Sequence, residues 1–205
     1  MGRPREVTDE QILKAARKCF LRDGAGATAA TIAEELGVSH TTIFNRFGSK
    51  EALMIAALGP PEHVPWAARL SAGPDARPML EQLTEVGRSI AEYFQDVGNA
   101  MSVLHAAGIG PEKVLANRDL HGRRTQAFTA LAGWLRRAQE QRKLGNCDVD
   151  TLAATIISVM RNWTMTARMC GLAATRRANE DFVEGFFEML WRGVAPPGRH
   201  PEKGS

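Results

Sequence analysis

Apolar residues in this chain recur every third or fourth position almost from end to end, and no stretch sustains the apolar–polar alternation of a half-buried strand. Side chains three and four apart share one face of a helix, so the core must form between such faces. That period predicts an all-α fold. With 205 residues there is enough chain to bury a core in a small head plus a larger body.

The first fifty residues are punctuated into short helices. Thr8, followed by Asp9, Glu10 and Gln11, reads as a capping-box start, after which Ile12, Leu13, Ala16, Cys19 and Phe20 make one apolar face that stops at Asp23-Gly24. Thr28 can cap a second helix carrying Ile32, Ala33 and Leu36 inward, and Gly37 ends it with the residue type that tolerates a left-handed turn. The stretch GVSHTTIFNRFGSK, Gly37 to Lys50, then places Ser39 as cap of a third helix and Val38 and Ile43 at the two positions of a hydrophobic staple. Gly48 ends this helix and Ser49 can cap the next. Isolated helices shorter than about 12–15 residues are marginal in water, so a third helix this short must be held by docking. Docking it through Val38, Ile43 and Phe47 leaves His40, Thr41, Phe44 and Asn45 outward. Two short helices joined through a glycine-containing turn make a helix-turn-helix pattern.

Further on the helices lengthen. Residues 50 to 58 continue helically to Gly59-Pro60-Pro61, and five prolines up to Pro78 predict a bend or loop. Helices are expected over 76–97, 100–107, 111–117, 121–143, 149–170 and 179–193, with a disordered tail, PPGRHPEKGS, from Pro196. The domain reading is residues 1–54 as a helix-turn-helix head, 55–195 as a helical body and 196–205 as the tail.

Composition narrows the function classes. The 44% hydrophobic and 24% charged content is that of an ordinary globular protein, and no apolar run approaches the 18 or so residues of a membrane span. The amino end, MGRPREVTDE, lacks the apolar block of a secretory signal, so a cytoplasmic protein without a membrane partner is expected. Cys19, Cys147 and Cys170 are odd in number and form no C-x-x-C pair, which reads as free thiols, with Cys19 on a core face. The five histidines show no H-E-x-x-H spacing, and no serine sits in a G-x-S-x-G elbow. Gly24-Ala25-Gly26-Ala27-Thr28-Ala29 fits G-x-G-x-x-A, but that fingerprint needs a preceding strand and here follows a helix, so it reads as a turn. No enzyme, metal or cofactor is expected. Net charge is only +3, with eight basic against six acidic residues in the first fifty, which permits an anionic partner without demanding one.

Ile32-Ala33, Gly37-Val38-Ser39, Thr42-Ile43-Phe44, Phe47 and Ser49-Lys50-Glu51-Ala52-Leu53 together resemble the DNA-binding head of the TetR family of transcriptional regulators, over residues 8 to 55. The resemblance implies a double-stranded DNA operator as partner. It places Thr42 and Lys50 at phosphate-contacting positions, and His40, Thr41 and Asn45 where side chains reach base edges. Phe44 stands where many relatives carry tyrosine, so a hydroxyl is missing there. Arg46 stands where histidine is frequent, adding a charge beside the backbone. Ala30 occupies a position where several relatives place a base-reading arginine, which shifts base specificity towards the third helix or DNA shape. Gly2-Arg3-Pro4-Arg5 fits either a basic arm reaching into a minor groove, through Arg3 and Arg5, or a solvated tail.

For the body the resemblance implies a homodimer and a small-molecule inducer. Phe182, Val183, Phe186, Phe187, Met189 and Leu190 form an apolar band too wide for one core seam, and with Ile156 and Met160 of the preceding helix they suit a four-helix dimer interface. An apolar pocket is expected among Trp66, Phe94, Met101, His105, Phe128, Trp134, Trp163 and Met165, with His105 as a candidate orienting group. The inferred function is a DNA-binding regulator, a repressor released from a palindromic operator by an apolar or amphipathic ligand. An activator of the same family is the alternative. Another is a helical adaptor whose Arg123, Arg124, Arg136, Arg137, Arg142 and Lys143 meet acidic partners.

Overall fold

The computed structural model describes residues 7–61, 63–116, 120–169 and 176–194. Among them there are helices and turns and no strand, so the all-α expectation holds. The proposed tail from Pro196 lies outside the described residues. The chain divides into two compact units, Met1–Pro61 with Asp96–Asp119, and Glu62–Gln95 with Leu120–Ser205. The first is the head unit and the second the body unit.

Four short helices open the head: α1 (Asp9–Asp23), α2 (Ala29–Leu36), α3 (His40–Phe47) and α4 (Lys50–Leu58). Each starts where the sequence puts a hydroxyl cap. Thr8 Oγ1 accepts from the Gln11 N–H at 3.2 Å while the Gln11 side chain accepts from the Thr8 N–H at 3.0 Å, which completes the capping box. Thr28, Ser39 and Ser49 accept in the same way from Thr31, Thr42 and Ala52 at 3.1, 3.2 and 3.0 Å. Such a cap contributes about 1 kcal/mol. That is a large share of what a two-turn helix can gain, and packing supplies the rest. Gly37 takes the left-handed conformation, φ 68°, and turns the chain from α2 into α3. α1 packs on α2 and α4, α2 on α3, and α3 on α4. Ile12, Cys19, Phe20, Ile32, Ile43, Leu53 and Leu58 are buried between them. Burying one such Leu, Ile or Phe side chain stabilises by about 1.5–3 kcal/mol. Cys19 is a core thiol, its pKa pushed up by burial.

Beyond α4 the structure departs twice from the expected elements. The proline-rich segment holds a short helix, α5 (Pro65–Arg69), because Pro65 stands at its first position, where a missing N–H costs nothing and the fixed φ suits a helix. The stretch expected as two helices, broken near Gly98, is one continuous α6 (Met79–Ala106). A mid-helix glycine costs roughly 0.5–1 kcal/mol. Burying Ala100 and Leu104, both at 0% exposure, outweighs that. Residues of α6 up to Gln95 belong to the body unit, and those from Asp96 belong to the head unit with α7 (Pro111–Leu115). There Ala100, Leu104, Ile109 and Val114 join the head's core.

The body unit is completed by α8 (Leu120–Glu140), α9 (Val149–Met169) and α10 (Arg176–Val194). α8 packs against α9 and α5. The core gathers Leu83 and Ile90 of α6, Leu131, Trp134 and Leu135 of α8, Ile156 and Met160 of α9, and Val183, Phe187 and Trp191 of α10. Gly87 of α6 lies against the Phe187 ring so closely that a Cβ on it would stand 1.9 Å from Cε2. Only a residue without a side chain fits there.

Candidate nucleic-acid interface

α3 divides its eight residues by face. Ile43 is buried and Phe47 half-buried against the head's core, while His40, Thr41, Phe44 and Asn45 are exposed. Those four stand at i, i+1, i+4 and i+5, one strip of a helix surface. Phe44 is 56% exposed, a large apolar ring held out in a polar strip. Water does not favour such exposure, whereas contact with a thymine methyl or the apolar part of a sugar would. His40 and Thr41, at the amino end of α3, lie beside N–H groups that have no helical partner, the end of a helix that favours anions. The helix is thus equipped for phosphate at its start and for base edges along its outer strip.

Thr42 is half-buried and its Oγ1 lies 2.9 Å from Ser39 Oγ, so the hydroxyl expected at phosphate is also part of the cap. Arg46 and Lys50 are both engaged inside the head. Arg46 Nη1 donates to the Asp9 carboxylate at 3.0 Å and to the Val7 carbonyl, tying the last turn of α3 to the first residues of α1. Lys50 Nζ donates to the Ala25 carbonyl in the turn after α1. Neither side chain is used up. A guanidinium has five donors and an ammonium three, so each cation is oriented while donors remain for a phosphate. Arg3 and Arg5 lie outside the described residues.

Elsewhere on the head, two sets of charges pair with each other. Arg22 bridges Asp23 at 2.7 Å and Glu35 at 2.9 Å. The hydrogen bond from Arg22 is the main cause holding both carboxyls below their usual range. Glu51 at the start of α4 pairs with Lys113 of α7 at 2.8 Å. The α3 strip stands out by contrast, because its polar side chains are exposed and not spent on such pairs.

The body unit contains a cavity of about 280 Å³. Trp66 and Trp134, both expected at a pocket, line it, and the structure brings in Arg69, Leu70, Pro74, Gln82, Val86 and Ser89 beside them. The remaining expected pocket residues lie elsewhere. Phe94 and Phe128 are half-buried against the body's core, Trp163 stacks on Phe182 at 3.9 Å, and Met165 is 55% exposed. Met101 and His105 belong to the head unit, where His105 is exposed on the last turn of α6. One missed residue had a readable signal. Gln82 interrupts the apolar positions Met79, Leu83 and Val86 on one face of α6, and it is buried with its oxygen and both amide donors engaged. Its oxygen accepts from the Asp75 N–H at 2.8 Å, and its nitrogen donates to the carbonyls of Asp75 and Arg77.

The residues expected at a dimer interface separate into two stripes. Ile156, Met160 and Phe187 have 0% exposure within this chain and pack its own core, so they offer no surface. Phe182, Phe186 and Leu190 are half-buried, with Met189 at 65% exposure next to them. Phe182 and Phe186 are roughly parallel, their centroids 6.4 Å apart. The outer stripe is therefore the apolar surface of α10. No helix among the described residues is long and apolar enough to cross a membrane.

Residues 12–57 match the family described as bacterial regulatory proteins, tetR family. The HTH-type transcriptional repressor BdcR of Escherichia coli (strain K12) is 31% identical over 112 residues, 53% of this chain and 55% of that protein. The match thus spans about half the length of that curated relative. Among solved structures, a TetR-family protein from Mesorhizobium loti superposes with a TM-score of 0.65 at 14% identity, covering 91% of this chain and 96% of that one. A structure concerned with control of antibiotic production by a bacterial hormone gives 0.62 at 23% identity, with the same coverage of 91% and 96%. These likenesses carry the fold across nearly the whole chain, while the family match falls on the helices that build the α3 strip. Residues 12–57 therefore match the DNA-binding head of the tetR family of bacterial regulatory proteins, on a chain whose overall fold is that of TetR-family structures.

Proposed function

We propose that this regulator is a repressor that binds an operator on double-stranded DNA as a homodimer. The observation that carries the reading is the exposed strip of α3, in which His40, Thr41, Phe44 and Asn45 project from a helix pinned at both ends by Ser39 and by Arg46. In this reading Asn45 pairs with a base edge, Thr42, Arg46 and Lys50 meet phosphates, and Arg3 and Arg5 follow an adjacent minor groove.

One two-turn helix contacts few base pairs, so a single head reads too little sequence to be selective. A two-fold pair, joined through the α10 stripe of Phe182, Phe186, Met189 and Leu190, doubles the site and calls for an inverted repeat with half-sites about 34–36 Å apart, or a multiple. The likeness to a repressor favours repression over activation. The body's cavity supports a small-molecule inducer. An inducer acts by population shift: it weakens DNA binding only to the extent that it binds better to the dimer whose heads are wrongly spaced for the groove.

Selection of bound duplexes from a random pool, followed by sequencing, tests this reading. An inverted repeat with one-turn or multiple spacing is the expected result. Absence of enrichment by a folded, dimeric protein would refute it.

A further inference from the structure

We propose that the cavity of the body unit takes an uncharged, flat aromatic molecule that carries a carbonyl oxygen. The inference deepens the inducer part of the function proposed above and rests on it.

Size comes first. About 280 Å³ lies at the small end of ligand sites, which run from roughly 300 to 1,000 Å³, so the space suits one or two fused rings and not a long acyl chain. Shape follows from the walls. The indoles of Trp66 and Trp134, with Leu70 and Val86, offer flat apolar surface, and a planar guest matches it.

Charge excludes ions. At the rim Arg77 is held by Asp75 at 2.9 Å, by Glu85 at 2.9 Å and by Glu81 at 3.3 Å. Of the charged residues that line the cavity, Arg69 and Arg77 balance Asp75 and Glu85, so the rim carries no net charge to attract an ion, and a charged guest would lose hydration without a free partner. Arg69, which also borders the cavity, is exposed and screened by water.

The polar specificity comes from Trp66. Its residue is only 3% exposed and its Nε1–H has no acceptor. The other buried polar wall residue, Gln82, has no donor to spare for a guest oxygen, because the carbonyls of Asp75 and Arg77 take both of its N–H groups. Trp66 lines the cavity, so a guest oxygen placed against its Nε1–H satisfies a buried donor that the protein leaves unpaired. Aromatic hydrocarbons gain the walls but not this bond.

Isothermal titration of the full chain without DNA tests the assignment, with coumarin as the carbonyl-bearing probe. Naphthalene keeps the flat body without oxygen, and 2-naphthoate adds a charge. Coumarin should bind saturably, and naphthalene about tenfold more weakly, the worth of one buried hydrogen bond. Trp66→Phe keeps the flat wall and removes the donor. It should bring coumarin down to the naphthalene level while leaving naphthalene's own affinity unchanged, with a lowered Tm from the ring volume lost in the core. Val86→Trp should fill the space and abolish binding of both. The proposal is overturned if coumarin fails to saturate, if Trp66→Phe or Val86→Trp leaves its affinity unchanged, or if 2-naphthoate binds more tightly. Because DNA is absent, a negative result removes this ligand class while operator selection still judges the regulator.

Discussion

The helices α2, α3 and α4 of the head are eight, eight and nine residues long, whereas α8, α9 and α10 of the body run to 21, 21 and 19. Each short helix begins on a hydroxyl cap and buries a few large side chains. The long ones bury whole stripes, such as Val183, Phe187 and Trp191 on α10. The head places a small set of side chains at fixed angles, for which length is a hindrance, since a helix must fit its neighbours and leave its outer strip free. The body spends its length on area, enclosing a core and keeping a second apolar stripe outside it. Precision in the head comes from termini and turns, and bulk in the body comes from faces.

The largest test of that contrast removes one large core ring from each unit. Phe20→Ala and Phe187→Ala should each destabilise by about 3–5 kcal/mol, because both rings are fully enclosed. Chemical denaturation of the two variants would break the comparison if the head, with its shorter helices, lost little. Next comes overpacking. Gly87→Ala should cost about 1–3 kcal/mol, since Phe187 cannot withdraw from a Cβ at 1.9 Å without disturbing the core. Phe187→Leu in the same chain should restore part of the loss, which thermal melting of the double variant would read.

The head's precision is tested on DNA. Asn45→Ala should alter base preference at one position, by about 1–3 kcal/mol against the preferred base, and leave the salt dependence alone. Lys50→Ala should weaken binding to all sequences and lower the log-salt slope by about one phosphate's worth. Titrations at several ionic strengths separate the two, and equal losses on every sequence for both variants would sink the division of roles. Ser39→Ala should cost about 1 kcal/mol of stability, and more in DNA affinity than the same loss elsewhere, because it loosens the start of α3.

The smallest effect is a pH dependence on the head's surface. Asp23 and Glu35 have carboxyls held low by the hydrogen bonds of Arg22. Their folded pKa values lie below the unfolded ones, so the stabilisation is fully present above the unfolded values, near pH 4, and is lost as pH falls through the folded values. Arg22→Ala should narrow the gap between neutral and acid stability. All three side chains are substantially exposed, so the change should be slight and should shrink further in high salt.

What was legible in the sequence was local. Thr8, Thr28, Ser39 and Ser49 cap helices because a cap needs only a hydroxyl three residues before an N–H, and Gly37 turns because only its own φ is at stake. The 3.6-residue period likewise identified the helices and their apolar faces, and with them the outward strip of α3. Period alone could not say what each face meets. Ile156, Met160 and Phe187 share the apolar pattern of Phe182, Phe186 and Leu190, yet the first three are enclosed by their own chain and the others lie at its surface. Gly98 reads as a break, and packing around Ala100 and Leu104 carries the helix through it. Arg46 meets Asp9 across 37 residues and Lys50 meets Ala25 across 25, separations at which no spacing rule operates. The sequence by itself determined the four short helices that open the head, their ends and the strip that faces outward, because those depend on neighbours within one or two turns. Which cation is held, which aromatic ring borders the cavity and which apolar stripe stays exposed were decided only by the tertiary structure, because each is a contact between segments that the chain brings together from far apart.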